Sequence, residues 1–172
     1  IRLLNSQLCS NGIANYYCDP QFGNDCPTFI DLGGNNMQVN CNGTGTINVP
    51  DDYDTIEEAV LNAYDGDEIV VAPGTYLVES TLYFSTGITI RSTDGPENTI
   101  FDGQGLTQIF TAGNWYEISN LTIEGITFKN GSNTDSVWGP AGGGAGFIVN
   151  TNITLTNCIF ENNYSESPGG AL

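Results

Sequence analysis

Three short segments share one hydrophobic–polar pattern: Ile88-Thr89-Ile90, Leu121-Thr122-Ile123 and Ile153-Thr154-Leu155. Each alternates apolar, Thr, apolar, which is the pattern of a strand with one buried face. A second matching piece follows each of them: Thr99-Ile100-Phe101, Ile126-Thr127-Phe128 and Cys158-Ile159-Phe160. A third precedes each: Leu82-Tyr83-Phe84, Gln108-Ile109-Phe110 and Gly146-Phe147-Ile148. Three strands per repeat, at a period of roughly thirty residues, predict an all-β solenoid of stacked coils. In such a coil Ile88, Ile90, Leu121, Ile123, Ile153 and Leu155 point inward, and full burial of each is worth about 1.5–3 kcal/mol.

Upstream of the repeats, Thr46-Ile47-Asn48-Val49 reads as a strand closed by Pro50. One helix is expected over about residues 54–64. Asp54 is its N-cap, Glu57 completes a capping box, and Ile56, Ala59, Val60 and Ala63 form an apolar stripe. Its expected job is to cover the apolar end of the first coil. Glu68–Ala72 reads as a strand and Pro73-Gly74-Thr75-Tyr76 as a turn. Residues 131–144, with Trp138 and several glycines, read as a long insertion between strands, the natural place for binding. Two units follow: a Cys-rich cap or assembly arm over 1–44, and a solenoid over 45–172 that continues past Gly169-Gly170-Ala171-Leu172. The lack of an initiator Met is read as a processed start.

Composition changes the picture in two ways. The 172-residue chain has only three cations, Arg2, Arg91 and Lys129, no His, and a net charge of −17. Such a surface repels phosphate backbones and anionic bilayers, so nucleic acid is not an expected partner. The acid excess serves solubility or would suit Ca²⁺. No apolar run reaches the roughly 20 residues that span a bilayer, so no membrane insertion is expected.

Cysteine places the chain in an oxidising compartment. Cys9, Cys18, Cys26 and Cys41 crowd one loop-rich quarter and read as two disulfides. Three pairings are open, of which the sequential one is simplest; a four-cysteine zinc site lacks the Cys-x-x-Cys knuckle. Cys158 alternates with Phe160 and reads as a buried free thiol. Sequons occur at Asn42, Asn120, Asn130, Asn152 and Asn163. Asn120 and Asn152 fall at equivalent outward positions of successive coils, and Asn130 and Asn163 in the turns that follow. N-linked glycans would then stand in rows; the alternative is a ladder of stacked Asn side chains.

The run from Tyr53 to Val60, followed by Gly66-Asp-Glu-Ile-Val-Val-Ala-Pro-Gly-Thr-Tyr76, resembles the opening of the right-handed parallel β-helix proteins of the pectin-lyase-like superfamily. Phe160-Glu-Asn-Asn163 and Gly169-Gly-Ala-Leu172 are similar to the repeat motifs of polymorphic outer membrane proteins; Phe128-Lys-Asn-Gly131 departs by one position. The resemblance spans about residues 45–172 and implies a right-handed parallel β-helix with an N-terminal capping helix. Lyases of that fold use a Lys or Arg base beside Ca²⁺-binding acids, and its hydrolases use clustered Asp with His. Here Arg91 sits at a strand end where it would pair with a nearby acid, Lys129 follows the inward Phe128 and would point to solvent, and Asp94 and Asp102 lie in turns, so no catalytic residue and no cofactor is assigned.

The expectation is a secreted or cell-surface glycoprotein, non-catalytic, whose partner is itself or a homologous subunit in a head-to-tail fibre or layer. A polysaccharide-binding adhesin is the alternative. It would use exposed aromatics, Trp138 and Trp115 first, with Tyr116 and Tyr83 beside them.

Overall fold

A computed structural model describes residues 45–113, 119–134, 142–166 and 169–172, together with two short backbone strands further upstream, β1 (Phe29–Ile30) and β2 (Asn36–Met37). These two pair antiparallel, a hairpin within the segment where the sequence shows no period. Cys9, Cys18, Cys26, Cys41 and Asn42 lie outside the described residues, as do Trp115, Tyr116 and Trp138.

From residue 45 the chain is almost entirely strand, and the strands are parallel. A five-stranded sheet contains β3 (Thr46–Val49), β4 (Glu68–Val71), β7 (Thr89–Ser92), β10 (Ser119–Glu124) and β14 (Thr151–Thr156), in that spatial order. A four-stranded sheet contains β5 (Gly74–Leu77), β8 (Thr99–Asp102), β11 (Thr127–Lys129) and β15 (Ile159–Glu161). A three-stranded sheet contains β6 (Leu82–Phe84), β9 (Phe110–Ala112) and β13 (Gly146–Ile148). From β4 onward the chain visits the three sheets in rotation, adding a strand to each in turn. A last parallel pair, β12 (Ser132–Asn133) with β16 (Tyr164–Ser165), forms at the root of the 131–144 insertion.

The expected columns pair in the expected register in the first two sheets. Ile90, Ile123 and Leu155 are direct partners, as are Phe101, Phe128 and Phe160. The five-stranded column begins earlier than its period implies. Ile47 and Ile69 precede Ile90 in the same register, at steps of 22 and 21 residues against 33 and 32 later. Most of the added length falls in the connections, the strands growing only from four residues to six, and a period-based reading cannot see the short steps. Tyr76 likewise heads the Phe101 column, so Gly74–Leu77 is a strand and not the turn its Pro-Gly suggests.

The third column carries a correction. Phe110, not Gln108, pairs with Leu82 and Gly146, a two-residue displacement from the register read from sequence. A slip of two preserves the pleat, so Phe110 stays inward. Space decides it: a Cβ on Gly146 would lie 2.3 Å from Phe110 Cζ, so only glycine can face that ring.

The inward residues of all three sheets share one core that includes Ile69, Ile90, Ile123, Phe84, Phe101 and Phe128. Tyr76, Phe101, Phe128 and Phe160 form a continuous aromatic column with centroid separations of 6.0, 5.8 and 5.1 Å. Phe110 joins it to the third sheet at 5.2 Å from Phe128. Such spacings are those of favourable ring pairs. Among the described residues, no buried side-chain polar atom lacks a hydrogen-bond partner, as a native interior requires.

Helix α1 (Ile56–Leu61) is shorter than read, and its N-cap is Thr55 rather than Asp54. The Thr55 hydroxyl accepts the Glu58 N–H at 3.2 Å. Glu57, assigned to the capping box, instead accepts the Glu79 N–H at 2.8 Å. Ile56 and Ala59 are wholly buried, and the helix packs on β3 and β6, over one end of the sheets.

Candidate functional site

The corners that aim the sequon residues are built from Asn and Gly in the left-handed region. Asn130 (φ 53°) and Asn162 (φ 54°) follow the paired Lys129 and Glu161, and Gly125 (φ 70°) and Asn157 (φ 50°) follow the paired Glu124 and Thr156. Gly, and next to it Asn, adopts this geometry at least cost. A corner role thus accounts for Asn at 130 without reference to any modification.

The four described sequon residues occupy three different settings. Asn120 and Asn152 are exposed and directly opposite one another on β10 and β14, and the Asn152 Nδ2 donates to Asn120 Oδ1 at 3.1 Å. They form the side-chain ladder and stand on the outer face of the sheet together. Asn130 is half-buried, and its Nδ2 donates to Asp102 Oδ1 at 3.0 Å. Asn163 is half-buried and spoken for on both sides: its Oδ1 accepts the Gly131 N–H at 2.7 Å and its Nδ2 donates to the Phe128 carbonyl at 3.0 Å. That amide replaces backbone pairing at the root of the insertion. Nothing in the spacing of Asn163 reveals this; Asn-x-Ser looks the same in an open turn.

Both described cations lie between acids of neighbouring strands. Arg91 Nε donates to Glu68 Oε1 at 2.6 Å and pairs across the sheet with Glu124. Lys129 stands between Asp102 and Glu161, with its Nζ 3.7 Å from Glu161 Oε2. Each cation is spent on cross-strand pairing, as the sequence suggests for Arg91; Lys129, expected to point to solvent, is instead drawn toward Glu161.

Cys158 is half-buried, and its Sγ lies 3.5 Å from the Ile123 carbonyl and 3.4 Å from that of Thr156. Burial pushes its thiol above the ordinary cysteine value, while hydrogen bonds from the backbone of Ile126, Gly125 and Thr156 act in the opposite direction. Burial likewise raises Tyr76, whose hydroxyl donates to the Ala72 carbonyl at 2.9 Å.

A groove of about 430 Å³ runs between the start of α1 and β5, lined by Asp54, Glu57, Thr75, Tyr76, Leu77 and Glu79 among others. One of its lining carboxylates, Glu57, already holds the Glu79 N–H. Among the described residues no three His, Cys, Asp or Glu side chains gather as a metal-ligand set, and no helix is long and apolar enough to cross a membrane. Tyr83 projects from the outer face of the three-stranded sheet and is 70% exposed.

Two strand edges remain. At one end of the five-stranded sheet, no described strand pairs with the outer side of β14. Ile153, Leu155 and Phe160 are there only partly buried, whereas their partners Leu121, Ile123 and Phe128 are buried completely or nearly so. At the other end, β3 is met by its own following turn. The Asn48 N–H and its side-chain Nδ2 both donate to Asp52 Oδ2, at 2.7 and 3.0 Å, and the Asp52 N–H returns a bond to the Asn48 carbonyl at 2.7 Å. Sequence reading missed this contact, although an acidic pair directly after a strand and a proline was a visible signal.

Comparison with models of protein families, with curated proteins and with solved structures returns no match to this chain. Function is therefore read from the residues themselves.

Proposed function

We propose that this chain is a right-handed parallel β-helix that serves as a secreted, N-glycosylated structural subunit of an extracellular fibre or surface layer, assembled by stacking head to tail. One observation carries the reading. From β4 onward, successive passages of the chain add parallel strands to the same three sheets, and like residues pair in register along the first two columns. A surface built by stacking like on like accepts a further layer of the same pattern, and a heterologous contact of that kind propagates. The Asn120–Asn152 ladder on the outer face would carry glycans away from the stacking axis. The four clustered cysteines suit an oxidising compartment.

Electron microscopy of the natural material, joined to intact mass before and after glycosidase, tests this. Extended particles that lose mass under glycosidase support it. A protein that stays monomeric at every concentration, with no glycan, overturns it. A polysaccharide-binding role is the second reading. The 70% exposed ring of Tyr83 favours it, since a flat aromatic face can stack on a sugar. A glycan array would return binding that Tyr83→Ala abolishes.

A further inference from the structure

Among the described residues, Asn is followed by Gly once, at Asn130-Gly131. That pair is the most reactive setting an asparagine has, because glycine, with no Cβ, leaves its own backbone nitrogen unhindered. The Gly131 nitrogen can attack Asn130 Cγ and close a five-membered succinimide. The side-chain nitrogen then leaves as ammonia, taking the proton that Gly131 gives up. Water opens the ring to leave an aspartate or an isoaspartate at position 130. No other reactant is needed.

The fold ties down the groups this reaction uses. The Gly131 N–H, which must lose its proton before the nitrogen attacks, donates to Asn163 Oδ1 at 2.7 Å. The Asn130 Nδ2, which must leave, donates to Asp102 Oδ1 at 3.0 Å. The backbone around them is bonded on both sides. The Asn130 N–H donates to the Glu161 carbonyl at 3.0 Å, the Asn130 carbonyl accepts the Gly105 N–H at 2.6 Å, and the Gly131 carbonyl accepts the Tyr164 N–H at 2.8 Å. Gly131 is buried, and a Cβ on Gly103 would come within 2.9 Å of its Cα. Asp102 and Gly105 belong to the passage of chain before the pair, and Glu161, Asn163 and Tyr164 to the passage after it. The ring can close only where these neighbours have opened.

We infer that Asn130-Gly131 is a latent deamidation site that its neighbouring passages hold shut, and that its product keeps them from closing again. An aspartate at position 130 would set a second carboxylate where Nδ2 now donates to Asp102, exchanging an attractive contact for a repulsive one. An isoaspartate would add a methylene to the backbone at a corner whose peptide groups are all bonded. None of this depends on the fibre proposed above. A glycan at Asn130 would take the same Nδ2, so the chain is tested without one.

The test ages the full chain, produced without glycosylation, at mildly alkaline pH and follows deamidation at Asn130 by peptide mass spectrometry. The folded wild type should react at least roughly tenfold more slowly than the same chain in guanidinium chloride. Equal rates overturn the protection. Asn163→Ala should speed the reaction of the folded chain roughly fivefold or more, since it leaves the Gly131 N–H without its acceptor. Gly146→Ala weakens the fold elsewhere, against Phe110, and keeps Asn163. A gain under Gly146→Ala as large as that under Asn163→Ala overturns Asn163 as the cap. The product is tested separately, so the outcome stands even if Asn163→Ala fails to fold. Asn130→Asp should lower the denaturant midpoint, and Asp102→Asn should recover much of that loss, because an amide at position 102 can donate to the new carboxylate. An Asn130→Asp chain as stable as the wild type, or a loss that Asp102→Asn leaves untouched, overturns the effect assigned to the product.

Discussion

Replacing Phe128 and Phe160 one at a time tests whether successive strands share a single core. Phe128 is wholly buried and touches three rings from two sheets: Phe101 at 5.8 Å, Phe110 at 5.2 Å and Phe160 at 5.1 Å. Phe→Ala at a closed site costs about 3–5 kcal/mol, because the cavity cannot collapse. With three ring pairs worth about 0.5–1.5 kcal/mol each within that total, Phe128→Ala should fall at the upper end, about 4–5 kcal/mol. Phe160 is only partly buried and makes one ring contact among the described residues. Phe160→Ala should cost roughly half as much, about 2 kcal/mol, since less area is lost and solvent fills the gap. Urea unfolding followed by circular dichroism gives both numbers, with an unchanged slope confirming that stability alone has moved. Phe128→Ala should remove about a quarter or more of a typical domain's roughly 5–15 kcal/mol. Equal costs at the two positions would refute the shared column, and so would a loss under about 1 kcal/mol at Phe128.

Three further outcomes are expected. Gly146→Ala should destabilise by about 1–3 kcal/mol through the clash with Phe110, and Phe110→Leu should recover much of it; denaturant midpoints of the single and double variants decide. Asn163→Ala should cost about 1–3 kcal/mol, because it leaves the Gly131 N–H and the Phe128 carbonyl without their partner, whereas Asn152→Ala, on the exposed ladder, should stay within about 0.5 kcal/mol; thermal unfolding separates them. Burial raises the Cys158 thiol in the folded state, so the folded chain holds that proton where the unfolded chain has released it. Its contribution is therefore complete below about pH 8.5 and is lost as pH rises through the folded value. A wild-type stability that falls above that pH more steeply than that of Cys158→Ser checks the sign.

Much of the strand inventory was legible because alternation and burial are the same fact seen twice. Ile88, Ile90, Leu121 and Ile123 are all buried at 3% or less, and Thr89 and Thr122 between them are not. The Asn and Gly corners were legible as turns for a related reason, since few other residues tolerate a positive φ. The helix was legible by its stripe, but its start was not. Asp54 and Thr55 are both good caps one residue apart, and the choice fell to which register buries Ile56 and Ala59. The candidate sites were less legible. A sequon reads identically whether its amide is laddered on an open face, tied to a neighbouring carboxylate or bound to the backbone, and those are the three conditions of Asn120, Asn130 and Asn163.

By itself, then, the order of residues determined most of the repeated strands and which of their faces turn inward, because both depend on neighbours one and two positions away, though not β5 or β12. It also determined the acidity of the surface and the crowding of cysteines near one end. Tertiary structure decided what depends on contacts some thirty residues distant: that Phe110 lies over Gly146, that the Asn163 amide serves Gly131 and Phe128, and that the 22- and 21-residue steps belong to the same column as the long ones. Local alternation limits a strand to sliding by twos. Only the volume available beside each side chain chooses among the positions that remain.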